Sequence, residues 1–78
     1  ASCSPCRATR VLLEQMVQSM TDVTYAHIDA ESNLELVRQL NILSTPTTLF
    51  LNRDGVEVGR AMGTPKRSQV HAAVAAVH

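Results

Sequence analysis

The two cysteines of this 78-residue chain stand three positions apart, as Cys3-Ser4-Pro5-Cys6. The residues after them follow a helical period. Two thiols so spaced at a helix N-terminus lie about one turn apart and can close into a disulfide without unwinding the helix. Pro5 is tolerated because the first turn has no intrahelical use for its N–H. The free N–H groups and the dipole at that end favour an anion and so lower a thiol pKa. The thiolate is the reactive form, which makes Cys3, at the tip, the candidate nucleophile. Cys6 leads into the apolar stripe of Leu13, Val17 and Met20, with Leu12 and Met16 beside it. An exposed attacking sulfur backed by a shielded second sulfur is what dithiol exchange requires. Two other readings stay open on the residues alone. The pair could be inert, or it could be half of a zinc site. Structural zinc usually takes four protein ligands, and His27, His71 and His78 form no ligand-spaced pair.

Length and composition narrow the rest. A chain this short makes one small domain. Lys and Arg number 7, Asp and Glu 7, and the formal net charge is zero. Nucleic acid and anionic membranes favour a clustered positive field, so neither is expected as the main partner. No apolar run reaches the length of a transmembrane helix. A single CxxC pair does not read as the disulfide scaffold of a secreted mini-protein.

The elements that must hold the pair follow in order. A helix is predicted over residues 4–19, ended by Thr21-Asp22. The β-rich run 23–28 predicts a strand, with Tyr25 and His27 on one face. His27 reads as a strand residue rather than a catalytic one. Ser32-Asn33-Leu34-Glu35 reads as a capping box opening a short helix to about Leu40, with Leu36, Val37 and Leu40 inward. Asn41 stops it in the left-handed region. A strand over Thr47–Leu51 follows Pro46, and its run Leu49-Phe50-Leu51 suggests cover on both faces. Asn52-Arg53-Asp54-Gly55 predicts a hairpin turn. The return strand runs from Val56 to about Arg60, with Val56 and Val58 inward and Gly59 at a bulge or a close backbone approach. Thr64-Pro65 predicts an N-cap with proline at the first helical position. The last helix reaches about Val77 on a stripe of Val70, Ala73, Val74 and Val77, with His71 and His78 towards solvent.

This order, with Cys3-Ser4-Pro5-Cys6, Ile28-Asp29, Thr45-Pro46-Thr47, Asp54-Gly55 and Met62-Gly63 at these spacings, resembles the thioredoxin family over the whole chain. The resemblance implies an α/β, thioredoxin-like fold. It implies that Pro46 is a cis-proline facing the CxxC, and that Thr45 offers its backbone to an extended substrate segment like an added strand. Ser4, Pro5 and Gly63 would complete the substrate surface. Cys3 would attack a substrate disulfide and Cys6 would resolve the mixed disulfide, or the reverse would oxidise a dithiol. No metal or organic cofactor is implied. The implied partners are protein disulfides or dithiols and a reductase or oxidase. The sequence departs from the family's pattern at Ser2, where a Trp is usual, at the Ser-Pro dipeptide, and at Tyr25, where many members carry a lysine.

The resemblance carries one further expectation. The family places a β-α-β unit ahead of the CxxC helix, and its last strand lies between the strands matching residues 23–28 and Thr47–Leu51. A sheet cannot leave a central position vacant. Residues 1–78 are therefore read as one domain, incomplete at its N-terminus, whose gap is filled by a longer polypeptide or by a second chain as in a dimer or domain swap, with a rearranged sheet as the third option. The preferred function is thiol–disulfide exchange. The alternatives are a non-catalytic peptide-binding module and a metal-binding CxxC protein.

Overall fold

A computed structural model describes residues 3–77. The expectations on Ser2 and His78 lie outside them. Helix α1 spans Ser4–Gln18, α2 Leu34–Gln39 and α3 Arg67–Val77; strands β1 and β2 span Thr47–Leu51 and Glu57–Met62. This mixed helix–strand architecture agrees with the α/β class expected.

The predicted stripe of α1 is its buried face. Leu13 and Met16 are buried, and Leu12 and Met20 pack against them with Tyr25, Phe50, Val74 and buried Val70 of α3. Burying such a side chain stabilises by about 1.5–3 kcal/mol. The core is thus a thin layer between α1, α3 and one face of the β1–β2 ribbon. Thr9 continues the α1 stripe one turn towards the cysteines, and it too is buried. Ser19 closes the helix by donating its backbone N–H and its hydroxyl to the Met16 carbonyl.

The strand predicted over residues 23–28 does not form. A strand needs a ladder partner, and β1 pairs only with β2 among the described residues. A cleft of about 560 Å³, lined by Asp22, Thr24, Leu51, Asn52, Arg53, Asp54 and Val77, separates the start of this segment from the end of β1. Val23 and Tyr25 are half-buried while His27 is exposed, so Tyr25 and His27 do not share an environment.

The capping box also gives way. Asp29, not Ser32, does the capping: its carboxylate accepts from the Glu31 N–H at 3.2 Å and from the Ser32 hydroxyl at 2.8 Å. These bonds wind Ala30–Ser32 into a 3-10 turn, and α2 starts after Asn33 without a side-chain cap. An aspartate two residues from the amide competes well for it. Asn41 stops α2 at φ 55°, as predicted.

β1 and β2 pair antiparallel, with Thr47 opposite Met62 and Phe50 opposite Gly59. The turn between them is held by the Asn52 side chain, which accepts from the N–H groups of Asp54 and Val56, and Gly55 takes the left-handed position at φ 79°. The register then slips, since Leu51 faces Glu57. Val58 is the extra residue of this bulge, next to Gly59 as anticipated. The bulge resets the alternation, so Val56 and Val58 are exposed rather than inward. Phe50 turns to the helical core, whereas Leu51 is half exposed, so β1 is not covered on both faces.

The last helix starts later than predicted. Thr64 does not cap it. The Lys66 N–H is instead bonded by the Gln69 side chain at 2.8 Å, and the Lys66 carbonyl accepts from Val70.

Candidate functional site

Cys3 is the N-cap of α1, in an extended conformation at φ −129° and ψ 97°. Its Sγ accepts the Cys6 N–H at 3.2 Å, and its carbonyl accepts from Arg7 at 3.0 Å. One of the free donors of the first turn is therefore satisfied by sulfur. Cys3 and Cys6 are joined by a disulfide across a Cα separation of 5.1 Å. Ser4 and Pro5 are exposed between them. The expected contrast between an exposed Cys3 and a shielded Cys6 is not seen: both are half-buried. Bonded sulfurs at one helix tip share one environment.

The other half of the expected site lies at one end of the ribbon. The Thr45–Pro46 peptide is cis, and Pro46 leads directly into β1. The Pro46 carbonyl accepts the Gly63 N–H at 2.8 Å, which extends the ladder past the Thr47–Met62 pair. Gly63 sits at φ 79°, which favours glycine. Thr45 is exposed and Pro46 and Gly63 are half-buried. Thr47 Oγ1 donates to the Ser44 carbonyl at 2.7 Å and braces the bend before the proline.

One hydrogen bond links the halves. Thr9 Oγ1 donates to Thr64 Oγ1 at 3.0 Å. Thr9 is one turn beyond Cys6, and Thr64 follows Gly63. The path from the cysteine helix to Pro46 is thus Thr9 to Thr64, then Gly63 to the Pro46 carbonyl. The Thr64 hydroxyl expected to cap α3 instead accepts from α1. Thr9 was not among the predicted site residues. Its signal was present, since positions 6, 9, 13 and 16 share a helical face.

Tyr25, at the position where a lysine would match the family, has its phenol pKa raised, chiefly by burial; Arg10 lowers it and Glu14 raises it. Those neighbours place Tyr25 beside the middle of α1 rather than at the cysteines. A depression bordered by Ser4 and Arg7 continues down α1 along Ala8, Val11, Leu12 and Gln15 and does not include Pro46. Among the described residues no group of three His, Cys, Asp or Glu could hold a metal ion. No helix among them is long and apolar enough to cross a membrane.

A family model described as Thioredoxin matches residues 1–76. The thioredoxin of Alicyclobacillus acidocaldarius subsp. acidocaldarius is 35% identical over 78 residues, covering 99% of this chain and 73% of that protein. That of Mycobacterium tuberculosis (strain ATCC 25618 / H37Rv) is 37% identical over 62 residues, covering 78% of this chain and 53% of its own length. Thioredoxin H2-1 of Oryza sativa subsp. japonica is 33% identical over 64 residues, 82% of this chain and 46% of the relative. The chain spans about half the length of most of these curated relatives. No solved structure matches it significantly.

Proposed function

The chain belongs to the thioredoxin family, and from that premise we propose that it is a thiol–disulfide oxidoreductase whose working pair is Cys3 and Cys6. The observation that carries this reading is the Cys3–Cys6 disulfide at the first turn of α1, with a backbone N–H on the Cys3 sulfur. In the reduced chain the same donor and the helix N-terminus favour a Cys3 thiolate. That thiolate attacks one sulfur of a substrate disulfide. The Cys3–substrate bond forms, the substrate S–S bond breaks, and the expelled thiolate takes a proton. Cys6 then loses its proton and attacks Cys3 Sγ. The Cys3–Cys6 bond forms and the second substrate sulfur leaves. Two electrons have passed to the substrate, and a dithiol donor resets the pair by the same exchange.

In this reading Thr45 and cis-Pro46, with Ser4, Pro5 and Gly63 around them, hold an extended substrate segment against the cysteines. Protein disulfides are the proposed substrates, and a protein reductase or oxidase the proposed partner. The domain reading is also a proposal. Among the described residues, 23–28 make no backbone ladder and β1 pairs with β2 alone, and a cleft lies between the start of that segment and the end of β1. An extended strand from a longer polypeptide or a second chain would satisfy both edges at once.

The test is turnover of a protein disulfide with dithiothreitol as electron donor. Cys3→Ser is expected to abolish it. Cys6→Ser, reduced, freed of dithiothreitol and mixed with the substrate, is expected to accumulate a mixed disulfide, seen as a mass addition that reductant removes. Turnover that survives Cys3→Ser overturns the reading. Binding without turnover in the wild-type chain replaces it with a peptide-binding module. Equilibration of the pair against glutathione gives the potential, and with it the direction of exchange.

A further inference from the structure

We propose that Thr9 and Thr64 are positioning residues of disulfide exchange. The bond between them sets where the Thr45–Pro46 backbone lies relative to Cys3, and so how a substrate disulfide held there meets the attacking sulfur. The inference rests on the oxidoreductase reading and on Thr45–Pro46 as its substrate platform.

The two parts of the site belong to different elements. Cys3 and Cys6 open α1, whereas Pro46 leads into β1. Leu13 and Met16 of α1 pack with Phe50, Val70 and Val74. That packing begins about two turns beyond Cys6, and apolar burial is non-directional. It holds the helix without fixing its cysteine end.

Thr9 acts nearer the cysteines, one turn beyond Cys6. It is the buried polar side chain among the described residues, and its Oγ1 donates to Thr64 Oγ1 at 3.0 Å. Among those residues no other hydrogen bond joins α1 to the strands, to α3 or to the turn between β2 and α3.

From Thr64 the path to the platform is short. Gly63 precedes it at φ 79° and donates its N–H to the Pro46 carbonyl at 2.8 Å. Across the proline, the Thr47 hydroxyl braces the Ser44 carbonyl at 2.7 Å. Each link is a hydrogen bond or a peptide unit, so a shift of Thr64 against α1 passes to Thr45. Exchange needs the attacking sulfur in line with the bond that breaks, and small misplacements are costly. A substrate held by its backbone at Thr45 feels such a shift. A small disulfide that touches Cys3 alone does not.

The experiment mixes the pre-reduced chain, freed of reductant, with an excess of either of two disulfides. One is a peptide closed through two cysteines, with extended flanks. The other is bis(2-hydroxyethyl) disulfide, which has none. The readout is the ratio of their rate constants for closing Cys3–Cys6, peptide over flank-free, each scaled by its rate with dithiothreitol. Partial unfolding lowers both rate constants alike and leaves the ratio unchanged, which separates positioning from stability. Thr9→Val and Thr64→Val are each expected to lower the ratio about fivefold. The double variant is expected to lower it no further, since both changes remove one bond. Thr9→Ser keeps the hydroxyl and is expected to hold the ratio within about twofold of the wild type. Thr64 is exposed, so Thr64→Val carries the test if Thr9→Val does not fold. An unchanged ratio in Thr64→Val overturns the inference. So do losses that multiply in the double variant, or a Thr9→Ser ratio as low as that of Thr9→Val. A wild-type ratio of one overturns the platform at Thr45–Pro46, and this inference with it. A wild-type chain that reacts with neither disulfide overturns the oxidoreductase reading first.

Discussion

The hydroxyl of Thr9 donates to that of Thr64 across 3.0 Å, and this bond ties the helix bearing both cysteines to the turn that holds Pro46. Thr9 is only 4% exposed while Thr64 is exposed, so the bond is shielded from water on the Thr9 side. Removing Thr64 leaves the buried Thr9 hydroxyl short of a bond. Thr9→Val keeps the volume and is expected to cost about 1 kcal/mol, as is Thr64→Val, with a coupling energy of about 0.5–1.5 kcal/mol between them. Denaturant unfolding of the two single variants and the double variant measures this. Additive losses would show that the bond contributes nothing.

The Arg60–Glu57 pair clamps β2 to the end of α2. Its hydrogen bond to Arg60 is the main cause of the lowered Glu57 pKa; slight desolvation opposes it, and the charge of Arg60 adds to it. A carboxylate with a depressed folded pKa contributes stability that is fully present above its unfolded value and is lost as pH falls through the folded value. Wild-type stability is therefore expected to approach that of Glu57→Gln as pH drops below the usual carboxylate range, and to exceed it slightly near neutrality. Both groups are exposed, so the difference is small and shrinks in salt. Unfolding midpoints of both proteins across that pH range check it.

Leu13 and Met16 on α1 and Val70 on α3 form the buried hydrophobic cluster of the described residues. With so thin a core, one cavity matters. Leu13→Ala is expected to cost about 2–5 kcal/mol, a large share of a small domain's stability. Urea unfolding followed by circular dichroism reads the change. A loss under about 1 kcal/mol would mean that the site collapses around the smaller side chain.

The proposed strand insertion has its own signature. The amides of residues 24–28 make no backbone bond to any of the described residues. They are expected to exchange hydrogen at the rate of open chain in the isolated 78-residue polypeptide. Protection at these amides and along β1 in a longer polypeptide, or on dimerisation, would report the added strand. Fast exchange in every form would remove the proposal. Light scattering with intact mass separates a longer chain from a second one.

Much was legible in the sequence because it was local. Cys3 and Cys6 share a helix turn by spacing alone. The α1 stripe follows from a 3.6-residue period, and Asn41 and Gly55 take the left-handed region that their residue types favour. The same arithmetic failed wherever a residue had two possible partners. Ser32 lost its cap to Asp29, and Thr64 left the α3 cap for Thr9, because a hydroxyl bonds whichever group the packing brings nearest.

By itself the sequence determined the dithiol, its helix, the hairpin and the family. Only the tertiary structure decided which distant residues meet: Thr9 with Thr64, Gly63 with Pro46, and Arg60 with the carbonyls of Leu40 and Asn41. It also decided that residues 23–28 form no strand and that Leu43 stands in solvent. A strand pattern states that a segment can pair and a leucine that it can be buried. Whether either happens depends on the neighbour that the rest of the fold supplies, and no local spacing encodes that neighbour.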